Sequence, residues 1–251
     1  MGALKATPNR WGGVVIEPTA LPADADVFRQ ALEVSLAFWR AEGYRVAWLE
    51  VPIEHSSLIP VAVGAGFVFH HTKADHLMLT CQIEEDAFVP PYASHYIGAG
   101  GVVLNDREEL LVVWESAHRQ NGQKYYKLPG GALQHGEHLV DAVIREVEEE
   151  TGIRTQFETL VCFRHWHGYR FDTSDIYFVC RLSPLNHKIQ PQEDEIAECL
   201  WMPVQEYMTS EHVGSFNRQI VRAALDRRCW MVPTEVEGYS PEVREVFMPQ
   251  L

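Results

Sequence analysis

Apolar residues recur every four positions between residues 138 and 151, at Leu139, Val143 and Val147. Side chains four positions apart lie on the same face of an α-helix, so this spacing predicts an amphipathic helix over these residues. Gly152 follows at the position where a glycine often ends a helix. The pattern thus predicts one well-bounded helix near the middle of the chain.

The first 88 residues contain short apolar runs and one longer amphipathic stretch. The stretch begins at Asp24 or Asp26, either of which can cap a helix, and continues to about Ala41. The runs predict strands at residues 11–16, 46–51, 67–70 and 76–81, with a short helix from Ser56 or Ser57 to Val63. This order predicts a small α/β domain. A polar segment with two prolines follows, and we place the domain boundary after residue 88.

The second domain is predicted to cover residues 89–251. Its apolar runs predict strands at residues 97–105, 110–115, 125–128, 157–164, 174–182 and 198–203, and a closing helix at residues 211–227. The helix at residues 138–151 falls between the third and fourth of these strands. The expected fold class is therefore α/β (α+β) in both domains.

Glutamates crowd one side of the predicted helix. Glu146, Glu149 and Glu150 are three or four positions apart and share a face, whereas Glu148 is turned by about 200° from Glu146. Glu146 and Glu150 are about 6 Å apart along the axis, where two carboxylates repel each other unless a cation lies between them. Mg²⁺ prefers oxygen ligands of this kind. The pattern predicts a divalent-cation site, with a solvated acidic helix as the alternative.

The residues around this face suit such a site. Arg145 is four positions before Glu149 and can hold the carboxylates in place. Gly130 and Gly131 follow Pro129 and interrupt a short strand. Because glycine has no side chain, the backbone here can approach an ion closely, and the carbonyl group of Gly130 is a candidate ligand.

Composition and charge narrow the function classes. The chain has 251 residues, of which 46% are hydrophobic and 22% charged, as in an ordinary globular protein. Its formal charge of −14 disfavours nucleic acid and anionic membranes as partners. The longest apolar runs are far shorter than the ~20 residues of a membrane span. We therefore expect a cytoplasmic protein, with a nuclear or organellar location left open.

The cysteines point to a reducing compartment. Their number is odd, and no pair has the spacing of a metal site. We expect free thiols at Cys81, Cys162, Cys180, Cys199 and Cys229.

The segment at residues 131–153 reads GALQHGEHLVDAVIREVEEETGI. The spacing of its glycines, glutamates and arginine resembles the Nudix box of Nudix hydrolases at every position. Seven positions each demand one residue type, so a chance match is on the order of 10⁻⁸ per start point. The resemblance implies hydrolysis of a nucleoside diphosphate linked to another group.

The resemblance extends to most of the chain and implies the fold. Residues 93–229 resemble a Nudix α/β/α sandwich with a mixed sheet. The phrases YASHYIGAGGVVLN and SDIYFVCRL resemble the Nudix subgroup related to the fibroblast growth factor antisense product. The first domain resembles the accessory domain of that subgroup and, more weakly, half of a GNAT acyltransferase fold.

The resemblance also implies roles for the box residues. The implied metal ligands are Glu146, Glu150, Glu149 and a carbonyl group at Gly130 or Gly131. Glu146 is in addition a candidate base, Glu149 is alternatively a holder of metal-bound water, and Arg145 orients a carboxylate. Structural roles are implied for Gly131, Glu137 and Gly152.

Two segments outside the box supply further candidates. The acidic residues 192–198 offer an additional catalytic carboxylate, for which we select Glu195, with an exposed acidic loop as the alternative. Residues 163–171 are aromatic and basic. Their rings suit stacking on adenine and their arginines suit a phosphate, with packing on the neighbouring domain as the alternative. The substrate-binding candidates are Arg164, Trp166, Tyr169 and Phe171.

Three functions compete on these grounds. The leading hypothesis is a Mg²⁺-dependent pyrophosphatase, with Mn²⁺ as an alternative cofactor, acting on ADP-ribose, NADH or a related adenine nucleotide such as coenzyme A. Removal of RNA caps is disfavoured because no basic stripe is visible. A non-catalytic nucleotide- or partner-binding module usually lacks a box glutamate or arginine, and none is missing here. The expected partner is a small-molecule nucleotide, and formation of a homodimer is left open.

Overall fold

A computed structural model describes residues 2–116, 124–226, 230–235, 240 and 245–249. The chain divides into two compact units, Met1–Ser94 and His95–Leu251. The predicted boundary after residue 88 lies six residues before this division. Cys229 lies outside the described residues, and the other four cysteines are free thiols. None of the described helices is long and apolar enough to cross a membrane.

The described part of the first unit is a five-stranded sheet with two α-helices. Its elements are β1 (Ala6–Pro8), β2 (Val14–Ile16), α1 (Ala25–Ala41), β3 (Val46–Pro52), α2 (Ile59–Gly64), β4 (Val68–Thr72) and β5 (His76–Gln82). The strand order is β1-β2-β3-β5-β4, with β2 and β3 parallel and the other pairs antiparallel. The Asp24 side chain caps α1 by accepting hydrogen bonds from the N–H groups of Asp26 and Val27, at 3.0 and 2.9 Å.

In the residues that the structure describes, the second unit contains two sheets and three α-helices. Its elements are β6 (His95–Val103), β7 (Glu109–Glu115), β8 (Gly130–Ala132), α3 (Leu139–Thr151), β9 (Thr155–Trp166), β10 (Ser174–Pro184), β11 (Ile196–Pro203), α4 (Val204–Thr209), α5 (Ser215–Leu225), β12 (Met231–Pro233) and β13 (Phe247–Pro249). The larger sheet has the order β13-β12-β9-β10-β6-β8, and β11 pairs with β7 in the smaller one. The pair β6–β10 is parallel and the others are antiparallel, so the larger sheet is mixed.

Two hydrophobic cores lie on opposite faces of this strand layer. Successive side chains of a strand point to opposite faces. In β6, Val102 belongs to the core that contains Ile220 and Val221 of α5, and Val103 belongs to the core that contains Val143 of α3. The strands are therefore packed between α3 and α5, and the predicted α/β/α sandwich is confirmed.

Several short elements differ from the prediction. Residues 125–128 do not form a strand but pair through a single bridge between Lys127 and Val113. The closing helix is shorter than predicted and is preceded by α4. The strands β1 and β8 were not predicted, because proline and glycine have low strand propensity and only pairing with β2 and β6 extends them.

Candidate active site

The helix α3 carries the acidic residues of the box. Its end is set by Gly152, which has φ of 71° and donates its N–H to the Glu148 carbonyl at 2.7 Å. A Cβ atom at Gly152 would lie 2.8 Å from Gln190 Cβ, so the close packing of the following loop also requires glycine. This termination leaves Glu149 and Glu150 in the last turn of the helix.

Arg145 binds three glutamates. Its Nε and Nη2 atoms donate to the two carboxylate oxygens of Glu137 at 2.7 and 2.8 Å, a paired geometry typical of strong arginine–carboxylate contacts. Its Nη1 atom donates to Glu146 and to Glu149, each at 2.9 Å. The hydrogen bonds that Arg145 donates lower the pKa of Glu137, and the same bonds to Glu137, Glu146 and Glu149 raise the pKa of Arg145. Arg145 therefore fixes Glu146 and Glu149 relative to the loop that precedes α3.

Glu146 is packed against the glycine-rich strand β8. A Cβ atom at Gly131 would lie 2.4 Å from Glu146 Oε2, so only glycine leaves room for this carboxylate. Burial raises the pKa of Glu146, the hydrogen bond from Arg145 opposes this effect, and the charges of Glu149 and Glu195 add to it. Glu146 is thus a partly buried carboxylate with a pKa above its usual range.

Glu150 is the most buried acid of the box, with 3% of its surface exposed. Its Oε2 atom accepts the N–H of Gly130 at 3.0 Å. Gly130 has φ of 149°, and a Cβ atom there would lie 2.3 Å from the Ala99 carbonyl oxygen. Burial raises the pKa of Glu150 to about 7, and the charges of Glu115 and Glu195 contribute. Gly130, predicted as a carbonyl ligand, contributes an N–H group to the site.

Three carboxylates from separate parts of the chain meet at this point. Glu115 ends β7, Glu150 belongs to α3, and Glu195 lies in the loop before β11. One carboxylate oxygen from each lies within 4.8 Å of the other two. The N–H of Ser116 donates to the Glu195 carbonyl at 2.8 Å and ties that loop to the end of β7. We name Glu115, Glu150 and Glu195 the carboxylate cluster.

The donor set of the carboxylate cluster fits a hard divalent cation. All three ligand atoms are carboxylate oxygens, the type that Mg²⁺ and Mn²⁺ accept. Burial penalises the negative charge of Glu150, and a cation in contact with it would remove that penalty. Glu146 and Glu149, the other predicted ligands, are not members of the cluster and are bonded to Arg145 instead.

Two residues of this region, Glu115 and Lys127, were not predicted from the sequence. Glu115 is the acidic last residue of an otherwise apolar run, and Lys127 is the only charged residue of its own short run. Lys127 forms an ion pair with Glu115, and its Nζ atom lies 3.9 Å from Glu150 Oε1. The position of Glu115 at the end of an apolar strand was a signal that it could be functional, but that position does not show which residue Glu115 contacts.

The predicted substrate residues lie on β9 and on the turn after it. The Arg164 guanidinium pairs with Asp175 and lies over the rings of Trp166 and Tyr177, at 5.3 and 5.4 Å from their centroids. Trp166 in turn contacts Tyr169, with ring centroids 5.2 Å apart. We name Tyr177, Arg164, Trp166 and Tyr169 the aromatic ladder.

The aromatic ladder begins beside the box. A Cβ atom at Gly130 would lie 2.7 Å from the Tyr177 hydroxyl oxygen, which places this hydroxyl against the glycine that binds Glu150. Burial raises the pKa of Tyr177, and the charge of Glu150 adds to the effect. Phe171, the fourth predicted substrate residue, is 86% exposed and stands apart from these contacts.

Two family descriptions match the chain. The NUDIX domain matches residues 94–224, which is more than half of the chain. The Nudix hydrolase domain matches residues 4–83, within the first unit. The second match fits the predicted N-terminal accessory domain, while its assignment to a subgroup stays a prediction.

Relatives extend the similarity over both units. Nudix hydrolase 8 of Arabidopsis thaliana is 39% identical over 238 residues, which cover 92% of this chain and 64% of the relative. Nudix hydrolase 2 of the same plant is 38% identical over 239 residues, with 95% and 85% covered. The human nucleoside diphosphate-linked moiety X motif 6 is 32% identical over 229 residues, with 88% and 72% covered. The chain thus spans just under two thirds of the first relative and more of the other two.

These matches agree with the order of strands and helices, with the complete box and with the acidic centre at α3. The predicted family and enzyme type are confirmed. Members of this family generally act with a divalent cation on small nucleotide substrates. The chain belongs to the Nudix hydrolases, enzymes that cleave nucleoside diphosphates linked to another group.

Proposed function

We propose that the protein hydrolyses the diphosphate linkage of an adenine nucleotide such as ADP-ribose, NADH or coenzyme A, with Mg²⁺ or Mn²⁺ as cofactor. The observation that carries the proposal is the carboxylate cluster, which lies beside the start of the aromatic ladder. The carboxylate cluster suits a cation and a diphosphate, and the aromatic ladder suits an adenine ring. Both lie within the second unit.

Glu115, Glu150 and Glu195 would hold the cation. When bound, a divalent cation neutralises charge on the diphosphate and activates a water molecule. The Gly130 N–H binds Oε2 of Glu150 and so fixes the orientation of this carboxylate of the cluster. The position of the site is thus set before substrate binds, which lowers the cost of ordering it.

Glu146 is the base in this proposal. Its Oε1 atom accepts a hydrogen bond from Arg145, and its Oε2 atom, which lies against Gly131, would take a proton from the attacking water. A carboxylate whose pKa lies above its usual range accepts a proton more readily during the reaction. Arg145 is the positioning residue, since its contacts with Glu137 and Glu149 keep Glu146 in place.

The aromatic ladder would bind the nucleotide. The planar guanidinium of Arg164 is held by Asp175 and suits a phosphate. Trp166 and Tyr169 present rings on which an adenine can stack. Because the chain is negatively charged overall, local cations are important for attracting an anionic substrate. Arg164 is one such cation, and Arg170, which lies 5.3 Å from the Tyr169 ring, is another.

The test is product release from a panel of ADP-ribose, NADH, coenzyme A and capped RNA with MgCl₂, followed by chromatography of the adenylate product. We expect hydrolysis of at least one adenine nucleotide. Glu150→Gln should lower kcat by about 100- to 1,000-fold, the usual effect of removing one group that stabilises the transition state. Glu148→Gln is the matched control, because Glu148 is exposed on the same helix, and it should stay within about threefold.

The outcomes separate cleanly. If the wild-type protein released product from none of the three adenine nucleotides, the proposed substrate class would be excluded. Release from capped RNA alone would reassign the substrate. Equal turnover by Glu150→Gln and the wild type would show that Glu150 has no part in the reaction.

A further inference from the structure

Lys127 lies against the carboxylate cluster and has no role in the function proposed above. Its ammonium group contacts Glu115 and lies 3.9 Å from Glu150 Oε1. Its backbone is fixed by two hydrogen bonds with Val113, at 3.0 and 2.9 Å. Because Val113 is two residues before Glu115 on the same strand, this pairing delivers the lysine side chain to the end of β7.

The contacts of Lys127 are those that a bound cation would need. The oxygens of the carboxylate cluster lie within 4.8 Å of one another, so the space between them accommodates one cation. An ammonium group at contact distance from Glu115 and near Glu150 overlaps with that position. A unit charge about 5 Å from a divalent ion weakens its binding on the order of tenfold, even with the dielectric constant of water.

We propose that the Lys127 ammonium is a resident counter-ion of the carboxylate cluster, which a divalent cation must displace in order to bind. Lysine suits this role because it carries a compact charge on a flexible four-carbon stem. Its side chain is 25% exposed, so the displaced ammonium group can move into solvent. The ion pair keeps Glu115 beside Glu150 without a metal ion, and the need to displace the ammonium lowers the affinity for the metal.

Lys124 provides a matched control. It lies three residues before Lys127 and forms a comparable ion pair, with Nζ 2.6 Å from Glu198 Oε2. Glu198 is not a member of the carboxylate cluster. Replacing either lysine by methionine removes the same charge from the same segment, but only the change at Lys127 removes a cation from the cluster.

The proposal rests on the proposed function only in that the carboxylate cluster is the metal site. The experiment is a titration of the full-length protein with Mn²⁺, without nucleotide, at fixed pH and ionic strength, with free Mn²⁺ followed by electron paramagnetic resonance. We expect Lys127→Met to lower the Kd for Mn²⁺ about tenfold, as estimated from the charge removed. We expect Lys124→Met to stay within about twofold of the wild type, because its charge is outside the cluster. Lys127→Gln is a second variant with the same expected effect, and circular dichroism verifies that each protein is folded.

Two results would overturn the proposal. In the first, the Kd of both Lys127 variants differs from that of Lys124→Met by less than about threefold, which would show that no displacement is needed. The other is an absence of Mn²⁺ binding by the wild-type protein. Because nucleotide is absent from this titration, a failure of the protein to hydrolyse adenine nucleotides would overturn the proposed function and leave this result unaffected.

Discussion

Glu150 shows how one buried side chain can make the stability of a protein depend on pH. Its carboxylate is 3% exposed and accepts a hydrogen bond from the Gly130 N–H. Burial raises its pKa to about 7 from the ordinary value of 4.5. A carboxyl group with a raised pKa binds its proton more tightly in the folded protein than in the unfolded chain. Its contribution to stability is therefore complete below about pH 4.5 and is lost as the pH rises through 7.

Glu150→Gln should remove this loss, because glutamine does not ionise and its carbonyl oxygen can still accept the Gly130 N–H. In metal-free protein with EDTA, we expect the variant to gain stability relative to the wild type as the pH rises from about 4 to 8. The gain should be on the order of 3 kcal/mol, from about 1.4 kcal/mol per pKa unit. Urea unfolding at a series of pH values measures it, with Glu148→Gln as the control that should show no such trend. A difference between Glu150→Gln and the wild type that is independent of pH would contradict the raised pKa.

The acidic residues also show the reach of sequence reasoning. The spacing of Glu146, Glu149 and Glu150 was sufficient to predict that they share one side of a helix, because helical geometry is local. Glu195 was selected from an acidic loop, and the structure brings it to Glu150. Glu115 was not selected, because its position depends on how β7 pairs with distant segments, and strand register across a long connection is not encoded locally.

At the scale of elements, α3 depends on a residue far along the chain. Its N-cap residue, His138, makes no side-chain capping hydrogen bond. The carboxylate of Glu245 instead accepts the N–H groups of Leu139 and Val140, at 2.8 and 3.3 Å. A negative charge at a helix N-terminus also interacts favourably with the helix dipole. This cap could not be predicted from the helix's own sequence, since its donor and acceptor are 106 residues apart.

Glu245→Ala should therefore destabilise the second unit by about 1 kcal/mol, the usual effect of losing a helix cap. Thermal unfolding monitored by circular dichroism measures the change. Glu235→Ala is the control, because Glu235 is an exposed acidic residue of the same C-terminal region and makes no described contact with α3. Equal melting temperatures for the two variants would show that the cap contributes nothing to stability.

At the scale of the whole molecule, each unit has its own hydrophobic core. The core of the first unit includes Phe28, Leu32 and Trp39 of α1, and Leu36 packs against it. The cores of the second unit are built on α3 and α5. The order of strands and helices was therefore enough to predict two α/β units. The short strands β1, β8, β12 and β13 were not predicted, since each has three residues and is defined by its pairing with a neighbouring strand.

Leu32→Ala should destabilise the first unit by about 2 to 5 kcal/mol, because Leu32 is fully buried and its truncation leaves a cavity. We expect amide hydrogen exchange to accelerate within residues 2–94 and to change little in α3, since domains open as separate units. Val34→Ala, on the exposed side of α1, is the control and should have little effect on exchange. A comparable acceleration in α3 would show that the two units unfold together.

The division of β6 between two cores restricts how this fold can change in length. Val102 and Val103 face opposite sides, and each fills a different core. Adding or deleting a single residue in this strand would turn the side chains on one side of the change to the opposite face of the sheet, and this would disrupt both cores. Insertions are tolerable only in the connecting loops, which also carry Glu195. A change in the length of the loop that carries Glu195 would therefore act directly on the carboxylate cluster, while the strand length is fixed by the two cores.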